Sequence, residues 1–362
     1  MSAMNRIVAI GAALALSVPV VAASSSSAFA SPSSSSSSNT CAPAAKAVSY
    51  SDGLDKLVRG DVTVGGLSDL AWDQRVGAWA STVDNHATDP ARIWFWKNPA
   101  HATVVRDPLV LRKPDGTAYD GTTADNEGLA VLPNGDFVVS SETEPSVRIF
   151  GRDGVQKSSL PVPARFAVAP AGEATANATL EGLTLARSGT RIIAAMEGAL
   201  SGDTDATLHR FLVYDVNRKG QWTLTEQFGY QADAGQRISE VQSYGKDSLL
   251  VMEASFAAAT GNAVKLYAVP STKGAADVSK AADLATVPAK RLLAKQLVAD
   301  LVKCPTLGAT AKQTQTNPLM DNYEGLAVVP GKHADTVEVI SDDNFGATQI
   351  TRVLTLSARL PD

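Results

Sequence analysis

The sequence predicts an all-β fold, a β-propeller of four-stranded blades, on three observations. Glu-Gly-Leu recurs as Glu127-Gly128-Leu129, Glu181-Gly182-Leu183 and Glu324-Gly325-Leu326. Each copy opens two short alternating runs joined by a turn, the pattern of an antiparallel hairpin. A third run that begins with a base follows each hairpin. Four strands in about 55 to 60 residues is the signature of a propeller blade.

The clearest hairpin runs from Gly128 to Leu132, turns at Pro133-Asn134-Gly135 and returns over Asp136 to Glu142. The second copy turns at Arg187-Ser188-Gly189 and ends at Glu197; the last turns at Pro330-Gly331 and ends at Asp342-Asp343. Two degenerate copies complete the set. Ser239-Glu240-Val241 leads to Glu253, and Gly66-Leu67-Ser68-Asp69-Leu70 leads to Asp84, with Ser68 in the glutamate slot. Third strands start at Arg92, Arg148, Arg210, Lys265 and Arg352, and fourth strands include Leu109-Val110-Leu111 and Trp222 to Thr225. Five blades can be counted, and a sixth has room around residues 270 to 320. Asp61-Val62-Thr63-Val64 is placed as the strand that closes the ring on the last blade. Helical periodicity is confined to the Ala/Lys-rich stretches Ala275 to Leu284 and Ala289 to Leu301.

The first thirty residues read as an export signal. Arg6 precedes an apolar run from Ile7 to Ala23, and Ala28-Phe29-Ala30 is a small-x-small cleavage site. Residues 31–47 are taken as a serine-rich disordered spacer and residues 48–362 as a single propeller domain. A secreted protein is therefore expected, clear of the membrane after cleavage and monomeric. In that setting the two cysteines, Cys41 and Cys304, are expected to form a disulfide. A net charge of −5 argues against nucleic acid as a partner. The four histidines, His86, His101, His209 and His333, show no zinc-binding spacing. His209 reads as an exposed loop residue, and Trp94 and Trp96 as blade packing.

Hairpin geometry returns each chain to its starting end. The acid before strand one, the acid after strand two and the base opening strand three are thus expected on one face. The acids there are Asp69, Asp84, Glu127, Glu142, Glu181, Glu197, Glu240, Glu253, Glu324, Asp342 and Asp343, and they outnumber the bases. Crowded carboxylates suit a hard divalent cation: Ca²⁺ first, with Mg²⁺ or Mn²⁺ as alternatives. A ring of repeated ion pairs that only locks the strands is the competing reading.

Asp125-Asn126-Glu127-Gly128-Leu129-Ala130, Ser141-Glu142, Leu180-Glu181-Gly182-Leu183, Glu324-Gly325-Leu326-Ala327 and Ser341-Asp342-Asp343-Asn344-Phe345 together carry a resemblance. Over residues 60 to 356 the chain resembles the phytase-like domain family, also called esterase-like activity of phytase. The resemblance implies a calcium-associated propeller with esterase or phosphoesterase activity. On that footing the metal is assigned to Glu127, Glu142, Glu197, Glu324, Asp342 and Asp343. General-base catalysis falls to Glu127 or Glu181, and Arg92, Arg148, Arg210, Lys265 and Arg352 hold a small anionic or ester substrate. The alternatives are a non-catalytic calcium-associated ligand-binding propeller and a metal-dependent lactonase.

Overall fold

The computed structural model describes residues 40–84 and 87–361. The export signal and the serine run up to residue 39 lie outside the described residues, as do Asn85 and His86. The chain enters on β1 (Ala45–Ser51) and makes a small hairpin, β2 (Val58–Arg59) with β3 (Val62–Thr63). Blade I follows with β4 (Ala71–Asp73), β5 (Ala78–Thr82), β6 (Arg92–Lys97) and β7 (Thr103–Val110). Blade II holds β8 (Asn126–Val131), β9 (Phe137–Ser141), β10 (Ser146–Phe150) and β11 (Gln156–Leu160). Blade III holds β12 (Leu180–Ala186), β13 (Arg191–Met196), β14 (Leu208–Val216) and β15 (Trp222–Gln231). Blade IV is β16 (Arg237–Ser243), β17 (Leu249–Ala257), β18 (Gly261–Val269) and β19 (Gln296–Asp300). Blade V is β20 (Asn322–Val329), β21 (Asp335–Asp342) and β22 (Val353–Ala358), and its fourth, outer strand is β1.

Five blades of four antiparallel strands therefore make the ring, and the first strands of successive blades touch one another around the axis. Two expectations are corrected here. The closing strand is Ala45–Ser51, with Ala45 opposite Ala358 and Ser51 opposite Val353, whereas Val62–Thr63 pairs only with Val58–Arg59. β1 thus begins inside the range assigned to the spacer. Ala45 and Ala47 are buried while Lys46 is exposed, the alternation of an outer strand with one covered face. Cys41, just before it, is bonded to Cys304 as expected.

The room for a sixth blade is taken by an excursion between β18 and β19. Its helical periodicity produces only single 3₁₀ turns at Leu284–Thr286 and Ala289–Arg291, and the second stretch becomes β19 and a third turn, Leu301–Lys303. Val278, Leu284 and Leu292 pack with Leu208 over the outside of blade III. Leu293 and Val278 donate backbone hydrogen bonds to Gly229 and Gln227 of β15. Burial against a neighbouring strand overrides weak helix propensity here.

The hairpin turn at Gly135 has φ +88°, and Gly135 donates back to Leu132. Trp94 and Trp96 are fully buried, and Trp96 Nε1 donates to Ser81 Oγ at 2.9 Å. His209, by contrast, lies in β14 and is 2% exposed, not in an exposed loop.

Candidate functional site

The repeat is a structural device at the axis. In blades II to V the pairing register slips at the repeat: between Asn126 and Leu129, Leu180 and Leu183, Ile238 and Glu240, and Tyr323 and Gly325. A bulge there breaks the alternation of side chains and re-aims the glutamate. The glycine is fixed by close approach. A Cβ on Gly128 would lie 2.5 Å from Leu183 Cβ, one on Gly182 would lie 2.5 Å from Glu240 Oε1, and one on Gly325 would lie 2.9 Å from Asp69 Cα.

Blades I and IV put an acid where the other three have glycine. Asp69 Oδ2 accepts the Leu129 N–H at 2.6 Å, and Glu240 Oε1 accepts the Leu183 N–H at 2.8 Å. The two carboxyls, each 1% exposed, hydrogen-bond one another. Burial pushes Asp69 up to about 8 and raises Glu240 well above its ordinary range. One shared proton makes that contact favourable, since two buried carboxylates side by side repel. This register also places Ser239, not Glu240, in the glutamate slot.

One layer nearer the mouth where the inner strands begin, the acids crowd together. Asp84, Asp125 and Glu127 bring one oxygen each within 4.8 Å of one another, and so do Glu127, Glu142 and Glu181. Glu127 belongs to both groups and accepts from Ser68 Oγ at 2.6 Å. Glu142 Oε1 accepts the Thr179 N–H. Burial first, then Glu142 and Glu324, raise Glu127. Burial and then Glu197 push Glu142 to about 8, and burial and then Glu127 raise Glu181.

Arg237 is the cation these acids share, and it was absent from the sequence reading. Its NH1 donates to Glu181 at 3.0 Å and Glu197 at 2.9 Å; its NH2 donates to Asn322 at 3.0 Å and Glu324 at 2.7 Å. The signal lay in the register: Arg237 stands two residues before Ser239, as Asp125 stands before Glu127 and Asn322 before Glu324. The six assigned metal ligands thus divide. Glu127 and Glu142 join the carboxylate groups, whereas Glu197 and Glu324 face Arg237. Asp342 is fully buried beside them; burial and then Glu324 raise it. Asp343 is committed elsewhere, to the Lys56 ammonium and the Gly66 and Phe345 N–H groups.

The five bases do not ring the mouth, which corrects their assignment to substrate. Arg210 makes a fully buried pair with Asp203 and bonds the carbonyls of Val278 and Ala281. Arg352 clasps Asp52 and reaches the carbonyls of Pro318 and Thr310. Lys265 holds Asp233, Arg148 holds Glu144 and lies 4.8 Å over Tyr119, and Arg92 donates to the Pro90 carbonyl. The third strand stands two strand spacings, roughly 10 Å, outside the inner strand. A base at its start meets the blade's own loops before it meets the axis.

The acid cluster fits a hard divalent cation. Its donors are all oxygens, as Ca²⁺ requires. Among the described residues no amide, hydroxyl or ammonium donor reaches the buried Asp125 Oδ1 or Asp342 Oδ2, and the hydrogen-bonding neighbour of both side chains is a third carboxyl, Asp84. Such orphaned acceptors beside mutually repelling carboxylates are what a cation relieves.

No curated protein matches the sequence. Among solved structures the chain is similar to a protein of unknown function from Dyadobacter fermentans, with 11% identity, TM-score 0.46, and coverage of 88% of this chain and 100% of that one. It is similar to a gluconolactonase from Xanthomonas campestris, with 12% identity, TM-score 0.37, and coverage of 87% and 98%. It is also similar to virginiamycin B lyase from Staphylococcus aureus, with 10% identity, TM-score 0.36, and coverage of 83% and 68%. One family matches across most of the propeller, over residues 62–345, and the chain belongs to it: the phytase-like family described as esterase-like activity of phytase.

Proposed function

We propose that this chain is a divalent-cation-dependent hydrolase of ester bonds, with Ca²⁺ as its cation. The observation that carries the reading is the group of carboxylates meeting at Glu127, three of them buried and two half-buried, with an oxygen of Asp125 that no amide, hydroxyl or ammonium donor reaches. Glu127 and Glu142, with Asp84 and Asp125, would hold the ion, with Glu181 beside it. Bound there, Ca²⁺ supplies neutralising charge and electrophilic pull on a substrate oxygen. Arg237, 28% exposed, holds Glu181 and Glu197 in place toward the channel. Glu181 accepts a proton from the attacking water. The new O–C or O–P bond forms, the ester C–O or P–O bond breaks, and the same proton goes to the departing alkoxide. Three of the five third-strand bases are spent on Asp203, Asp233 and Asp52. That supports carboxylic esters, lactones included, over densely charged phosphoesters.

A second reading, a structural or ligand-binding calcium site without turnover, draws support from depth: Glu127 is 6% exposed and Glu142 and Glu181 are 3%. Calorimetric Ca²⁺ titration followed by turnover of 4-nitrophenyl acetate, 4-nitrophenyl phosphate and δ-valerolactone separates the two. Hydrolysis that needs Ca²⁺ and drops at least 100-fold in Glu127→Gln and Glu181→Gln is expected. Calcium binding without turnover of any of the three supports the second reading, and absence of calcium binding removes both. We place the protein outside the cell as a monomer, on the export signal read from the sequence. An intact mass starting at Ser31 in culture medium and a monomer-sized elution volume check that placement.

A further inference from the structure

Beyond the axial pair, toward the opposite mouth, the five inner strands line a half-open cavity of about 490 Å³. It opens because side chains are small two residues past the glycine layer: Ala71, Ala130, Thr184 and Ala327, with Gln242 from blade IV. No residue that lines it is charged. Trp72 stands at its rim half exposed, set edge-on to Trp79 at 5.3 Å, and Trp79 stacks on Trp96. The Gln242 amide donates to the Ser243 carbonyl, and the Gln242 side-chain carbonyl accepts from no donor among the described residues. The volume lies in the range of small-molecule sites, which are apolar with one or two polar groups that fix orientation.

We propose that this cavity is a second ligand site, for an uncharged, planar aromatic molecule carrying one N–H or O–H. The ring lies against Trp72 and Trp79, the donor meets the Gln242 carbonyl, and the uncharged lining excludes ions. Asp69 and Glu240 stand between this cavity and the Glu127 cluster. Occupancy is therefore independent of calcium and of the reaction proposed for that cluster.

N-phenyl-1-naphthylamine, neutral and with one N–H, is the probe, read by its own fluorescence and by quenching of tryptophan emission. Saturable 1:1 binding is expected, unchanged by calcium, by chelator or by Glu127→Gln. Ala130→Phe and Ala71→Phe fill the cavity from two different blades, and each should weaken binding at least tenfold with a native melting temperature. Should neither fold, Trp72→Ala must weaken binding several-fold. The anionic 1-naphthoate should bind at least tenfold more weakly than the neutral probe. Non-saturating uptake, affinity untouched by the variants that fold, or equal affinity for 1-naphthoate overturns the proposal.

Discussion

Asp69 and Glu240 differ from the other acids of the channel in having backbone donors and each other as partners. An ordinary aspartate titrates near 3.8, and burial carries Asp69 to about 8 in the folded chain. A raised folded value means that the protonated pair contributes its full stability below the unfolded value. That contribution is lost as pH rises through about 8. With calcium chelated, unfolding free energy should fall by about 1.4 kcal/mol per pH unit, for each extra proton the folded chain holds, as pH rises toward about 8, and should level off above it. Asp69→Asn, which keeps a donor toward Glu240, should flatten the slope. Urea midpoints from pH 6 to 9.5 measure it, and equal slopes in the two proteins would refute the shared proton. Little of this was legible in sequence. The spelling Glu-Gly-Leu pointed to its glutamate, yet two blades carry the acid on the glycine position instead. Arg237 was missed for a related reason, because its copy of the repeat is degenerate. Charge counts give sign but not partners: the bases were read correctly as one per blade and wrongly as facing the axis.

The element that organises the site is the bulged start of each inner strand. Gly128 needs no left-handed backbone; what it needs is space, with Leu183 N 2.6 Å from where a Cβ would sit. Gly128→Ala should cost about 2 kcal/mol or more, an overpacking penalty. Gly245→Ala, whose nearest contact is the movable Ser248 hydroxyl at 3.1 Å, is the comparison. Equal denaturation midpoints for the two variants would show that the inner strands are not in forced contact. Hairpins and third strands could be read directly, since alternation and turn chemistry are local. The closing strand could not. Ala45–Ser51 follows a serine-rich run, and its partner β22 is about three hundred residues away in sequence.

At the scale of the whole molecule, the ring is fastened twice, by β1 on β22 and by Cys41–Cys304. The bond spans 263 residues, and long loops gain most from cross-linking in the chain-entropy account. The double variant Cys41→Ser, Cys304→Ser should lose about 3 kcal/mol while keeping its β-sheet circular dichroism. An unchanged urea midpoint after reduction of the native protein would set that estimate aside.

Ala45 lies opposite Ala358, so the two ends of the folded chain meet inside a single sheet. The order in which the blades are synthesised is therefore separable from the shape they make. β22, the partner of β1, is the last strand in chain order, so the seam of the ring joins its first strand to its last. A gene that began at another blade, with a short peptide bridging the present ends, would describe the same ring with its seam moved.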